Sequence, residues 1–263
     1  GPGFGSFIGP VAGSTLPPLT ADNGNVYVEF LDLAGVSGVE RAVTTGPYAA
    51  GKIVSLKDLF SDDTGGSLVR GGQGNDTIQG TGKKDLIVGQ RGGDVAFGKK
   101  GADTMMMGRG DDTAYGGAYG DVISGFTGGD TLFGGDGKDK LFGMADDDVL
   151  FGQRGADRLY GGDGDDRLKG GKGDDFLYGG GDADTFVFGK GDGDDRVIGF
   201  GTGADRLALN DNLWDGTLSA QDVVDEFARK ANGTITLRFD DGDTLALWSF
   251  GNKGNLVDLI DII

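Results

Sequence analysis

The sequence has no cysteine and no histidine. Without cysteine there are no disulfides, thiolate metal sites or thiol nucleophiles. Without histidine, the zinc-protease helix, the serine–histidine relay and most general-base chemistry near neutral pH are excluded. Glutamate is nearly missing too, since only Glu29, Glu40 and Glu226 stand among 42 acidic residues. No apolar run approaches the roughly 20 residues that span a bilayer. Residues Gly1 to Gly9 lack the basic and apolar regions of a secretory signal peptide, and Gly1-Pro2 without Met reads as a protease-cleavage scar. Basic residues number 24, so the formal net charge is −18, which argues against nucleic acid and anionic membranes as partners.

What the chain does have is glycine and aspartate. Its 56 glycines in 263 residues are about three times the usual share of about 7%. Short carboxylates beside flexible glycines suit oxygen ligation of a hard cation, because carbonyls and carboxylates can converge on one point. Ordinary globular arithmetic does not apply to such a composition.

The chain divides by composition. Residues 1–25, rich in Gly, Pro, Ser and Thr, read as a linker or arm. Residues 26–70 are ordinary and read as a small N-terminal cap: VYVEFLDL is a strand candidate, and KIVSLKDLF a strand or the first turn of a helix. Residues 71–210 carry an internal repeat. Residues 211–263 read as a C-terminal cap, made of a helix over SAQDVVDEFARKA with Ser219 as its cap, a hairpin TITLRFDDGDTLALWSF and an apolar end.

In the repeat, Asp76, Asp85, Asp94, Asp103, Asp112, Asp121 and Asp130 are followed in the same nine-residue register by Asp139, Asp148, Asp157, Asp166, Asp175 and Asp184. Two residues after each comes an apolar side chain, from Ile78 to Phe186. The unit is GGxGxD and a three-residue strand, as in GGDGKDKLF and GGDGDDRLK. The glycines allow left-handed turns that bring carbonyls inward, and only the middle strand residue faces inside. Two nonapeptides complete a coil, so residues 18 apart stack and residues nine apart lie on opposite sheets.

This unit resembles the nonapeptide of the RTX, or hemolysin-type, calcium-binding proteins. The resemblance covers residues 71 to about 210. It implies an all-β fold, a parallel β-roll with a β-rich C-terminal cap and a small N-terminal one. It also implies several calcium ions, eight to ten here, each held between stacked turns. The implied ligands are the thirteen register aspartates and the carbonyls of Gly125, Gly134, Gly152, Gly161, Gly170 and Gly179. Past Asp184 the spacing stretches to Asp195 and Asp205, which resemble the widened closing coil and add two candidate ligands. Lys83, Tyr119, Asp146 and Asp182 replace the fourth-position glycine and Met107 a first-position one; the sites around Lys83, Met107 and Tyr119 are the weakest.

The final VDLIDII resembles the uncleaved signal read by type I secretion machinery, and reads equally as a strand closing the roll. Outward residues Phe97, Tyr115, Phe133 and Phe151 stack 18 apart, either as a strand-stabilising ladder or as a binding face for polysaccharide or a cell-surface partner. No catalytic constellation emerges. The function expected is a secreted, non-enzymatic calcium-binding module with a structural or adhesive role at or beyond the cell surface, folding when it meets calcium. The alternative is an accessory module of a larger RTX enzyme such as an epimerase, lyase or protease.

Overall fold

The computed structural model describes residues 39–44, 53–55, 66–201, 204–214, 218–248 and 256–263. The arm over residues 1–25 and the strand candidate VYVEFLDL lie outside them. Strands alternate between a twelve-stranded and a ten-stranded sheet, so that every second strand in sequence is a hydrogen-bonded neighbour. Pairing is parallel with a register of 18: Leu132 sits beside Leu150 in one sheet and Leu141 beside Leu159 in the other. This is the right number for two nonapeptides per coil, and the chain is a parallel β-roll.

Each nonapeptide contributes one side chain to the space between the sheets. Every inward residue from Ile78 to Leu177 is fully buried. A single layer of such residues, one per nine, joined by Met107, is the apolar core of these repeats. The outer face is built from the residues flanking them. Phe97, Tyr115, Phe133 and Phe151 stack there with centroids 4.8–5.0 Å apart and planes within 2–8° of parallel. Their faces are occupied by one another and their edges meet solvent, the geometry of a cross-strand ladder. On the other sheet Phe142 and Tyr160 stack at 5.0 Å, and Arg196 lies 4.9 Å over the Phe176 ring.

The same two sheets run into the segments on either side of the repeats. Val39–Thr44 pairs with Gly66–Gln73, and Ile53–Ser55 with Thr77–Gln79, both in parallel. At the far end Thr244–Trp248 pairs with Asp194–Ile198, and Ile260–Ile262 with Arg206–Leu209. Arg206 and Asp261 make a two-pronged ion pair across that last rung. The core broadens here, with Phe186 and Phe200 edge to face at 6.0 Å and Trp214, Phe227 and Phe239 packed within 6.1–6.5 Å of one another.

The helix expected over SAQDVVDEFARKA is shorter than its sequence suggests. It spans Ala220–Phe227, entered through a reciprocal Ser219–Asp222 capping box. The remaining ARKA is a strand, Ala228–Ala231, antiparallel to Thr234–Arg238. The reason is the dipeptide between them: Asn232 and Gly233 take φ of +49° and +80°, the paired left-handed conformation of a two-residue hairpin turn.

Turns leave little room. At Gly155 φ is +141°, and an added Cβ would overlap the Gly137 carbonyl oxygen one coil away. Gly155→Ala is therefore expected to destabilise the roll by about 2 kcal/mol or more. A thermal melt in saturating calcium reads this out, and an unchanged melting temperature would contradict the tight turn stacking.

Candidate metal centre

The register aspartates form two columns, one along each edge of the roll. The backbone N–H of each aspartate donates to Oδ1 of the aspartate one coil further on. One chain of such bonds runs from Asp76 through Asp94, Asp112, Asp130, Asp148 and Asp166 to Asp184, at 2.6–3.1 Å. The other starts at Ser67 and runs through Asp85, Asp103, Asp121, Asp139 and Asp157 to Asp175, at 2.7–2.8 Å. Asp195 and Asp205 continue the columns: Asp175 N–H donates to Asp195 at 2.9 Å and Asp184 N–H to Asp205 at 3.1 Å. The coil is wider there by two and three residues, yet the stacking persists.

All fifteen side chains are at most 3% exposed. One carboxylate oxygen is tied by the ladder, and the other is left over. Oδ2 has no hydrogen-bond partner in Asp94, Asp103, Asp112, Asp121 and Asp130, nor in Asp139, Asp148, Asp157, Asp166 and Asp175; Asp76 has neither oxygen paired. Buried unpaired carboxylate oxygens are costly and rare, and a repeated row of them calls for a cation.

The first glycine of each turn leaves the space. At Gly98, the position of a Cβ lies 2.5 Å from both Asp103 Oδ2 and the Gly116 carbonyl oxygen. At Gly152 the same two distances, to Asp157 and Gly170, are again 2.5 Å. Carbonyls of Gly134, Gly161 and Gly179 likewise face the cradles of Gly116, Gly143 and Gly161, and that of Gly152 the cradle of Gly134. Gly125 instead stands one coil below Met107, whose side chain is fully buried. Among the described residues no three carboxylates converge. Oxygen donors here are therefore mixed, carboxylate with carbonyl, which is a hard-cation set of the calcium type.

The irregular turns differ among themselves. Asp85 Oδ2 is taken by the Thr81 N–H at 2.6 Å and by its hydroxyl at 3.0 Å, so the turn containing Lys83 leaves no free oxygen of that kind. Thr81 carries no signal in the repeat and was not among the residues singled out by sequence. The Met107 carbonyl occupies the Gly89 cradle as a glycine carbonyl would. Tyr119 takes the left-handed φ of +84° required at its position. Asp192, off the register, is buried and accepts the Gly189 N–H at 2.6 Å. Asp241 and Asp243, in the hairpin turn, both accept the Gly191 N–H.

Burial raises the column carboxyls from Asp94 to Asp195, and neighbouring aspartates add to the rise. Asp94, Asp103, Asp112 and Asp157 are pushed up to about 7 and Asp121 and Asp148 to about 8, while the ladder N–H bonds pull the other way. Asp195 reaches about 9. Their ordinary value is 3.8, so the folded, metal-free roll binds more protons than the unfolded chain. Its stability is then present at acid pH and lost as pH rises through about 6–8. In chelator, far-UV circular dichroism is expected to show more β structure at pH 5 than at pH 8. Calcium competes with the same protons, so its folding midpoint should fall as pH rises over that range; a pH-independent midpoint would contradict carboxylate ligation.

The match to known families falls on these turns. The RTX calcium-binding nonapeptide repeat (4 copies) matches residues 70–105, 108–141, 124–159, 134–168 and 160–193. No curated protein matches the chain. Among solved structures the chain is similar to the extracellular lipase LipA from Serratia marcescens, with 21% identity and a TM-score of 0.32, over 72% of this chain and 40% of the lipase. Residues 70–105 and 108–193 are thus RTX calcium-binding nonapeptide repeats, folded as the parallel roll with an aspartate column on each edge.

Proposed function

We propose that the chain is a secreted module whose roll, residues 71–210 between caps at 26–70 and 211–263, folds on calcium outside the cell and serves a structural or adhesive role there. The row of buried carboxylate oxygens without partners carries this reading. Bound calcium would supply two positive charges between adjacent turns, and eight to ten ions would nearly offset the −18. The ligands are the register aspartates with Asp195 and Asp205, joined by first-position carbonyls such as those of Gly134, Gly152 and Gly170. Ligand binding and folding are then one process, because the columns exist only when the coils are stacked. Sites of this extracellular kind have affinities on the order of 10⁻⁴–10⁻³ M, so the chain stays unfolded inside a cell and folds outside it.

The terminal VDLIDII fits delivery by type I secretion machinery, read before folding and then built in as the last rung. Among the described residues no helix is long and apolar enough to cross a membrane. The repeat region offers carboxylates held by neighbouring turns rather than a reacting pair, in keeping with a non-enzymatic part.

A calcium titration followed by far-UV circular dichroism, with physiological magnesium present, tests the proposal. A cooperative rise in β signal at sub-millimolar to millimolar calcium is expected, and none with magnesium alone. A chain fully folded in chelator at pH 8 and indifferent to calcium would refute it. Asp157→Asn is expected to raise the calcium midpoint about threefold or more, since a buried ligand charge is lost. Asp85→Asn, whose second oxygen already has Thr81, is expected to move it less.

A further inference from the structure

Outside the aspartate columns, the two edges of the roll carry opposite charge. On the edge holding the Asp85–Asp195 column, one turn presents Lys83 and Lys84 and the next Lys99 and Lys100, all exposed. Lys138, Arg154, Lys172 and Lys190 continue the line on later turns, against Asp136, Asp174 and Asp194. The other edge is the reverse: six exposed aspartates between Asp111 and Asp182 face only Arg91 and Arg109. Net charge conceals this. Setting the fifteen column aspartates aside leaves 27 acidic residues against 24 basic ones.

The acidic edge has a local explanation. Asp146, Asp111 and Asp147 accept the backbone N–H groups of Gly128, Gly129 and Asp165 in neighbouring turns. The cationic edge has none. Its one ion pair among the described residues is Arg154 with Asp136 at 3.7 Å. Four lysines on two adjacent turns repel one another, and Lys99 sits at φ +78°, where glycine is at ease and lysine is strained. Between Lys100 and Lys138, on the turn that lacks a cation, stands Tyr119, 64% exposed and also at positive φ.

We propose that this edge binds a linear anionic polysaccharide lying along the roll axis. Cations recur on rungs about 4.8 Å apart, the spacing of neighbouring strands, and a pyranose chain advances by a similar step. Lysines on successive rungs meet the acid groups of successive sugars. The Tyr119 ring supplies an apolar face to the sugar between them. A second copy of the chain is a poorer occupant: the edge is too narrow for the roughly 800 Å² per partner of a stable protein interface. Binding should also follow calcium. The seven column aspartates behind this edge outweigh its surplus of five cations, and only the calcium-loaded roll assumed in the proposed function presents it as positive.

The test is isothermal titration of the calcium-loaded protein at low salt with octagalacturonate, beside maltooctaose and an eight-nucleotide single-stranded DNA. Octagalacturonate is expected to bind and maltooctaose not. Affinity should fall about tenfold or more in the variant Lys83→Gln/Lys84→Gln/Lys99→Gln/Lys100→Gln, and also on raising salt from 50 to 200 mM. Glutamine is tolerated at such turns, as Gln90 and Gln153 hold the same left-handed φ. Tyr119→Ala should weaken octagalacturonate at least about threefold, and Arg91→Gln/Arg109→Gln should leave it unchanged. Should the lysine variant fail to fold, Lys138→Gln/Lys172→Gln reads the same edge. Binding that survives the lysine changes but is lost in Asp146→Asn/Asp163→Asn would place the ligand on the acidic edge through bridging calcium and overturn the proposal. DNA binding as tightly, with no effect of Tyr119→Ala, would make the edge a nucleic-acid site instead. No binding by protein whose circular dichroism shows the calcium-induced fold would overturn this inference alone; failure to fold with calcium would overturn the proposed function.

Discussion

Everything in this molecule turns on a carboxylate with one oxygen tied and one free. The tied oxygen takes the N–H of the previous coil and fixes the 18-residue register. The free one lies buried beside its neighbours, one per coil on each edge. The sheets alone could not hold such an arrangement, because only about one apolar side chain in nine is inside. A core this thin cannot offset two columns of desolvated negative charge, so a cation is part of the fold's design rather than an addition to it.

Much of this was legible in the residues. A strict nine-residue spacing of aspartate with an apolar residue two places on gave the roll, its register and its inward face. The stretched spacings to Asp195 and Asp205 still marked residues that join the columns. What escaped was local. Thr81 satisfies Asp85 in the turn where Lys83 stands in place of a glycine. ARKA looks helical because its residues favour helix, yet Asn232-Gly233 turns the chain back and sheet pairing wins. The aromatic residues lie on the sheets that their 18-residue spacing implies, but ring orientation is a tertiary property that spacing does not carry.

A charge of −18 describes the chain only as an average. In a roll, however, alternate nonapeptides belong to alternate edges, and the same average hides a positive edge and a negative one. Sorting residues by their place in an 18-residue period separates buried ligands, turn-capping aspartates and unpartnered lysines, three groups that a sum treats as one.

A stack of parallel strands has no natural end, and each open rung is a template for another chain. Here the twelve-stranded sheet stops at Ala228–Ala231, the outer strand of an antiparallel hairpin. Twice reversed, that strand runs the same way as the strands of the roll, so what a second roll docking there would meet is the exposed Arg229 and Lys230. Charge on the last open rung thus keeps a calcium-hungry, repetitive solenoid from growing into a fibre.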